Sequence, residues 1–382
     1  MSYETRKLKD ISIIKTGKLD SNAAVNGGTY PFFTCDPTTL AIDKWAYDTE
    51  AVLLAGNNAS GNYTAKYYKG RFNAYQRTYI IESANNDELL VRFLCYAMNQ
   101  QLRLLKTMSS GSTTKFLTIR MLHGLDIPCP SLDIQKKIVG ILGSIDDLIE
   151  NNQKQIKLLE EAAQRLYKEW FVDLHFPGYE DVKVVDGVPE GWTFKRVEEF
   201  GEVITGKTPS TSKTEYYGGS IPFVTIPDMH GNVFPLVTEK TLTKVGADTQ
   251  KNKYLPANTV IVSCIATVGL VNIAIEPCQT NQQINSVILH DDNDLYFFYE
   301  SMKRIKALLD GVGSNGATMT NVNKTKFSNI KVLFPTEDLV MQYNEFCKPI
   351  FDKILALSKG ILISKQARDR LLPKLMSGEI EV

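Results

Sequence analysis

Residues 138–170 read IVGILGSIDDLIENNQKQIKLLEEAAQRLYKEW, a run in which Ile138, Ile141, Ile145, Leu148, Leu159, Ala162 and Leu166 recur at steps of three and four or their multiples. That spacing gathers them on one side of a helix, as a coiled-coil seam requires. Asn152 and Gln155 interrupt it. The same steps recur at Ile350, Ile354, Leu357, Ile361, Ser364, Leu371 and Leu375, so two long helices of one kind are expected. Ser144, three residues before Asp147, reads as an N-cap with acid in the first turn. Pro349 falls at the matching place in the second copy, where a first-turn proline is tolerated because its missing N–H would have no partner. Both helices are expected to start there. A helix of roughly 33 residues spans about 50 Å, so an antiparallel pair would make a rigid spacer. The competing reading is that each helix only completes the core of its own domain.

Outward from the helices, the chain repeats itself in order. Thr16-Gly17-Lys18 matches Thr205-Gly206-Lys207, and Tyr30-Pro31-Phe32-Phe33-Thr34 matches Ile221-Pro222-Phe223-Val224-Thr225. Val52-Leu-Leu-Ala55 and Val260-Ile-Val-Ser263 read as buried strands, each followed by a glycine (Gly61, Gly269) and a glutamine-bearing segment, Asn73-Ala-Tyr-Gln76 and Thr280-Asn-Gln-Gln283. Helical stretches over 87–105 and 294–309 follow. Polar glycine loops come next, at 109–114 and 313–318. Further strands are expected at 79–82 and 285–289. A turn-rich, acidic segment over 176–191 links the halves. The boundaries drawn are 1–133 and 176–336 for two globular domains, with 134–175 and 337–382 as helical spacers. The fold class expected is α+β: two similar mixed α/β domains separated by two long antiparallel, coiled-coil-like helices, related by a pseudo-two-fold internal repeat.

Length and composition agree with that layout. At about 100–200 residues per domain, 382 residues make two or three domains. No apolar run approaches the roughly 20 residues of a membrane span, so no membrane partner is expected. Met1-Ser-Tyr-Glu-Thr-Arg-Lys has no apolar stretch behind its basic residues, which points to the cytoplasm. Cys35, Cys95, Cys129, Cys264, Cys278 and Cys347 are scattered without a Cys-x-x-Cys pair and are expected as core thiols. Lys+Arg and Asp+Glu both total 43, so net charge gives nucleic-acid binding no support. Distribution does. Tracts 51–81, 89–125 and 311–336 contain no acid, while they hold Lys66, Lys69, Arg71, Arg77, Lys115, Lys324 and others.

Signatures of catalysis are missing. The chain has no Pro-Pro dipeptide, hence no Asn/Asp-Pro-Pro-aromatic motif of adenine methyltransferases, and no G-x-x-x-x-G-K-[ST] loop. Gly311-Val-Gly313-Ser-Asn-Gly316 fits G-x-G-x-x-G but follows a helical stretch where a dinucleotide fingerprint needs a strand. His123, His175, His230 and His290 are isolated, and the acid–lysine pairs Glu239-Lys240 and Asp181-Val-Lys183 are common on solvated faces. No cofactor, metal or catalytic residue is expected.

The ordered, duplicated set resembles the specificity subunits of Type I restriction-modification enzymes over nearly the whole chain. Gly191-Trp192, Thr205-Gly-Lys-Thr-Pro209, Tyr217-Gly-Gly-Ser-Ile-Pro222, Asp228, Leu255-Pro256, Ala266-Thr-Val-Gly269, Asn281-Gln282 and the 313–318 loop carry the likeness. Pro130-Ser-Leu-Asp-Ile-Gln-Lys-Lys-Ile138 approximates the family's entry into its helical region, whereas 335–342 is looser and lacks the Glu-Gln pair. The resemblance implies a non-catalytic DNA-specificity subunit with two target-recognition domains. Such a subunit binds double-stranded DNA at a bipartite, asymmetric target and directs adenine-N6 methylation and restriction by two modification subunits and the restriction/translocase subunits. A Type IIB-like reader, or a helical assembly module without DNA recognition, stays open as an alternative.

Phosphate contacts need cations, and base edges are read by Asn, Gln, Arg and Lys. Near the glycine-marked turn of the first domain the candidates are Asn57, Asn58, Asn62, Tyr63, Lys66 and Arg71, with Ser110, Ser112, Thr113, Thr114 and Lys115 in the polar loop. In the second domain they are Lys207, Thr208, Ser210, Lys213, Gln282, Ser314, Asn315, Thr318, Asn321 and Lys324.

Overall fold

The computed structural model describes residues 3–58, 63–108, 115–305, 307 and 321–382. They form two compact units: Met1–Ile149 with Ile363–Val382, and Glu150–Leu362.

Unit 1 opens with β1 (Thr5–Lys7), α1 (Leu8–Ile11), β2 (Ser12–Thr16), β3 (Tyr30–Phe33), β4 (Leu40–Ile42), β5 (Tyr47–Ala55), β6 (Asn57–Asn58), β7 (Ala65–Ala74) and β8 (Thr78–Ser83). It continues through α2 (Val91–Met108), β9 (Lys115–Phe116), α3 (Ile119–His123), β10 (Asp126–Pro128) and α4 (Leu132–Phe171). The main sheet has the order β2-β8-β5-β7-β3-β4. Its pairs are antiparallel except β3 with β7. The run at 51–54 is apolar throughout because successive strand residues face opposite sides and both sides are covered. Val52 and Leu54 join the cluster around α2, while Ala51 and Leu53 pack with Phe33, Phe72 and Ile80.

Unit 2 repeats the plan. Its elements are β11 (Val184–Val185), β12 (Val188–Pro189), β13 (Thr193–Arg196), α5 (Val197–Phe200), β14 (Gly201–Thr205), β15 (Tyr217–Val224), α6 (Ile226–Met229), β16 (Lys240–Leu242) and α7 (Lys244–Asp248). After these come β17 (Val260–Ser263), β18 (Val271–Ile273), β19 (Gln279–Thr280), β20 (Ile284–Leu289), α8 (Leu295–Lys303), α9 (Lys324–Ser328), β21 (Lys331–Phe334) and α10 (Glu337–Ser377). The six-strand order appears here as two sheets, β14-β20-β17-β18 and β16-β15-β19. The single strand β7 of unit 1 corresponds to the separate β18 and β19. Pro277 lies between those two strands, where it cannot donate to a ladder.

Each unit contains a segment of both long helices. In unit 1, Ile138 and Leu142 of α4 pack with Leu372, Leu375 and Met376 of α10. In unit 2, Ala163, Tyr167, Trp170 and Phe171 of α4 pack with Tyr343, Cys347 and Phe351 of α10, and the Tyr343 hydroxyl donates to the Ala163 carbonyl at 3.2 Å. In unit 2 Asn152 lies beside Gly360 and Ala163 beside Tyr343, so the contacts retreat along α10 as they advance along α4 and these segments run antiparallel. Edge-on aromatic pairs such as Phe171–Phe297 (4.9 Å) and Phe171–Tyr343 (5.1 Å) each add about 0.5–1.5 kcal/mol beyond burial.

Three expectations need correction. The helices do not start at Ser144 and Pro349; they start at Leu132 and Glu337, directly after Pro130-Ser131 and Pro335-Thr336. Acid in the first turn, Asp133 in one and Glu337 with Asp338 in the other, favours those starts. Ser144 lies mid-helix, its hydroxyl donating back to the Ile141 carbonyl at 2.9 Å. The seam of α4 is also displaced: Ile141, Leu148 and Ala162 are exposed, and Ile138, Leu142, Ile149, Asn152, Ala163, Tyr167 and Trp170 are buried. That stripe follows the straight-helix period, because α4 packs into two globular cores as well as against α10. Finally, Cys35 and Cys129 are only half-buried, whereas the other four thiols are buried.

Candidate nucleic-acid interface

One end of each main sheet gathers the repeated motifs. In unit 2 the Gly206 N–H donates to the Ile284 carbonyl (3.0 Å), the Cys264 N–H to the Gln283 carbonyl (2.9 Å) and the Val322 N–H to the Cys264 carbonyl (2.7 Å). In unit 1 the Gly17 N–H donates to Thr78 (3.1 Å), the Gly56 N–H to Arg77 (2.7 Å) and the Leu117 N–H to Gly56 (2.8 Å). The Thr-Gly-Lys segment, the glutamine-bearing turn and the strand re-entering after the polar loop therefore meet at one place in each unit. Glycine is required at the crossing. A Cβ on Gly17 would lie 2.2 Å from the Ala74 carbonyl oxygen, and one on Gly206 would lie 2.2 Å from that of Asn281.

In unit 2 this geometry collects most of the candidates. The Thr208 hydroxyl donates to Gln282 Oε1 at 2.7 Å, Lys207 is held through its backbone by Thr280 and Gln250, and the Ser210 and Ser212 hydroxyls are 2.8 Å apart. Lys213 Nζ donates to the Tyr216 hydroxyl at 3.0 Å, a bond that raises the lysine pKa. Exposed Asn321 bridges Ile265, and Lys324 opens α9 behind the Asn323 N-cap. Next to Ile265, exposed Ala266 holds a left-handed φ of 64°, strain of the kind stored at functional turns. Ser314, Asn315 and Thr318 lie outside the described residues.

Unit 1 brings fewer candidates together. β6 pairs with β9, so Asn57 lies opposite Phe116 and Asn58 opposite Lys115, joining the glycine-marked turn to the exit of the polar loop. Asn57 Oδ1 accepts the Cys35 thiol. Tyr63 is half-buried, and burial raises its hydroxyl pKa. Lys66 Nζ donates to the Pro37 carbonyl (2.6 Å) and Thr39 Oγ1 (3.2 Å), and burial lowers its pKa. Arg71 does not join them: it sits toward the far end of β7, paired with Asp48 at 3.1 Å and 4.9 Å from the Trp45 ring. Asn62, Ser110, Ser112, Thr113 and Thr114 lie outside the described residues.

Sequence reasoning missed three members of the unit 1 cluster. Lys18 follows Gly17 as Lys207 follows Gly206, and it is exposed. The exposed Arg77 guanidinium lies 6.0 Å from the ring centroid of Phe116, itself 53% exposed. Lys18 could have been found from the repeat alone. Arg77 carried the weaker signal of an acid-free tract, and Phe116 carried none.

The arrangement offers cations, amides and hydroxyls at a sheet end, twice in one chain, with an exposed aromatic, Phe116, added in unit 1. Family comparison decides what it belongs to: the Type I restriction modification DNA specificity domain matches residues 2–161 and again 189–362. The chain belongs to this family. Members of the family similar to it include the Type I restriction enzyme HindI specificity subunit of Haemophilus influenzae, 33% identical over 75% of the chain and 76% of that protein. The MjaIX specificity subunit of Methanocaldococcus jannaschii is 26% identical over 100% of the chain and 94% of that protein. In fold, the chain is similar to the crystal structure of a Type I restriction-modification S subunit from M. genitalium (TM-score 0.62, 16% identity, covering 98% and 96% of the two chains). The specificity domain thus occurs twice in this chain, once on each side of the segment 162–188.

Proposed function

We propose that the chain is the non-catalytic DNA-specificity subunit of a Type I restriction-modification complex, reading one half-site of double-stranded DNA with each unit. The observation that carries this is the duplicated cluster, in which Thr16-Gly17-Lys18 with Gln76 and Thr205-Gly206-Lys207 with Gln282 occupy the same register positions of two like sheets. Target recognition is assigned to 1–133 and 176–336, and spacing to 134–175 and 337–382. Because the two clusters differ in side chains, the half-sites differ and the target is asymmetric. Methylation of adenine N6 and DNA cleavage then belong to two modification subunits and to restriction/translocase subunits that assemble on the chain in the cytoplasm. The unit 2 set of Lys207, Thr208, Ser210, Lys213, Gln282, Asn321 and Lys324, and the unit 1 set of Asn57, Asn58, Lys66 and Lys115 with Lys18, Arg77 and Phe116, are the side chains assigned to DNA.

Methylome sequencing of a host expressing the chain with and without its modification subunit tests this. A new bipartite N6-methyladenine motif is expected only when both are present. No motif from an assembled complex supplied with methyl donor would leave the helices as an assembly module and end the reading.

A further inference from the structure

The two units differ at one place on this sheet end. In unit 2 the chain leaving β15 turns into α6, and Met229, 2% exposed, packs with Val224, Ile261 and Ile284. Asp228 locks the turn. Its Oδ2 accepts from the Thr225 N–H (2.8 Å) and hydroxyl (2.7 Å), and its Oδ1 accepts from the Glu239 N–H (2.7 Å). Buried Asn272, opposite Ile261, donates to the Asn232 carbonyl at 2.5 Å. The place is filled and fixed.

In unit 1 the equivalent stretch, Thr34-Cys-Asp-Pro37, forms no helix. Thr78 stands where Ile284 stands in unit 2, and Lys66, opposite Leu53, stands where Asn272 does. Where Met229 fills unit 2, unit 1 has a cavity of about 200 Å³, lined by the apolar Phe33, Leu53 and Ala55 and by Cys35, Lys66 and Thr78, with the Asp36 carboxylate also in its wall, where its charge acts on Lys66.

We propose that this cavity receives one nucleobase of the half-site read by unit 1, and that the base carries a keto oxygen on its major-groove edge, as thymine (O4) and guanine (O6) do. The inference rests on the DNA-reading proposal above and deepens it. Three observations carry it. The cavity is continuous with the proposed interface, because the Cys35 thiol of its wall donates to Asn57. Its volume lies below the roughly 300–1,000 Å³ of pockets for drug-sized ligands and suits a single base, whose ring face would lie on the apolar lining. An ammonium has three protons, and Lys66 commits two to Pro37 and Thr39. The third completes its bonding by donating to thymine O4 or guanine O6, and a half-desolvated cation makes that bond stronger than it would be in water. Among the described residues of unit 2, Met229 occupies that space and Asn272 stands in place of the cation. The pocket is therefore a determinant of the difference between the two half-sites.

The test is methylation by the assembled complex of oligonucleotides in which every position of the motif is varied, using Lys66→Met and Ala55→Leu with thermal melting as a folding check. Lys66→Met is expected to relax one position of one half-site from a keto base to any base, with about a ten-fold loss of discrimination. Ala55→Leu, which fills the cavity, is expected to slow methylation of the cognate site by about the same factor while the other half-site keeps its sequence requirement. If both variants melt like wild type and methylate the identical motif at the wild-type rate, the pocket inference is overturned and the DNA-reading proposal stands. Loss spread over both half-sites also overturns it. A wild-type complex without any motif would remove the DNA-reading proposal itself.

Discussion

Arg368 Nη1 donates to Asp146 Oδ1 at 3.0 Å, and the other oxygen of that carboxylate accepts the Tyr96 hydroxyl at 2.7 Å. One acid thereby fastens α2, α4 and α10 together in unit 1, and beside it Arg92 donates to the Gly143 carbonyl and to Asp147. Arg368 and Asp146 are 28% and 29% exposed, so water screens the pair in part. Asp146→Ala leaves a cation and a phenol without their acceptor. The expected cost is about 2–3 kcal/mol in urea denaturation of unit 1, against about 1 kcal/mol for Asp146→Asn, which keeps a neutral acceptor. Equal midpoints for the two variants would show that a neutral acceptor contributes nothing and that the charge carries the whole effect, whereas a wild-type midpoint for Asp146→Asn would show that only the hydrogen bonds matter.

Glycines at three positions should respond with opposite signs. Gly17→Ala and Gly206→Ala would each place a methyl 2.2 Å from a backbone oxygen, that of Ala74 at the end of β7 and that of Asn281 in the turn after β19, so about 1–3 kcal/mol or more is expected to be lost in each unit. At Gly140, in α4, an added Cβ would have nothing within 4 Å of it, and Gly140→Ala should gain up to about 1 kcal/mol from helix propensity. Calorimetric melting of the three variants reads both directions at once. A neutral Gly206→Ala would mean that the crossing strands can part.

Those glycines also show how far the sequence can be read. The match of Thr16-Gly17-Lys18 with Thr205-Gly206-Lys207 and the two glutamine-bearing turns are visible as repeats, and they are neighbours in space because the glycine permits the close crossing. Buried strands at 52–55 and 260–263 are equally plain, since both faces of each strand are covered and the runs are apolar except for Ser263. The three-four pattern misplaces the α4 seam because it assumes one partner helix, whereas α4 also meets two globular cores whose large aromatics, Tyr167, Trp170 and Phe171, set its phase in unit 2. The pairing of β6 with β9, which brings Phe116 to Asn57, depends on a long-range ladder of two residues that no local pattern announces. Arg71 illustrates the converse. Its tract is acid-free, but Asp48 on the neighbouring strand pairs with it across the register.

Unit 2 should lose stability as pH rises from the acid side up to neutrality. Burial pushes the Glu300 carboxyl up from 4.5 to about 7; nearby Glu160 raises it further, while Lys303 opposes the shift. Burial likewise raises Asp294 from 3.8 to about 6. A carboxyl whose folded pKa is raised favours the folded state fully below its unfolded pKa, and this contribution fades as pH climbs through the folded value. The melting temperature of unit 2 is therefore expected to fall between pH 4.5 and about 7. Glu300→Gln, which keeps the shape without the charge, should flatten most of that decline and melt higher than wild type above pH 7. A pH profile unchanged by the substitution would place the controlling group elsewhere.

Side chains that hold phosphate and those that read a base separate by salt and sequence. Each phosphate neutralised contributes about 0.9 to the slope of log affinity against log salt, whatever the sequence. Lys207→Gln, Lys213→Gln and Lys324→Gln, all at exposed cations on the unit 2 sheet end, are expected to lower that slope by about 1 each and to weaken cognate and random DNA alike. Gln282 is different. Its Oε1 is already oriented by the Thr208 hydroxyl at 2.7 Å, so the amide is held in one pose with its two N–H donors still to place. Gln282→Ala should cost about 1–3 kcal/mol on the cognate half-site and almost nothing on random DNA, with the salt slope unchanged. Thr208→Val, which releases the amide without removing it, should give a smaller loss of the same sequence-dependent kind. Titrations of the assembled complex at several salt concentrations, on cognate and scrambled duplexes, separate the two classes. A Gln282→Ala variant that weakens both duplexes equally would move this glutamine from base reading to backbone positioning, and with it the reason for its fixed orientation.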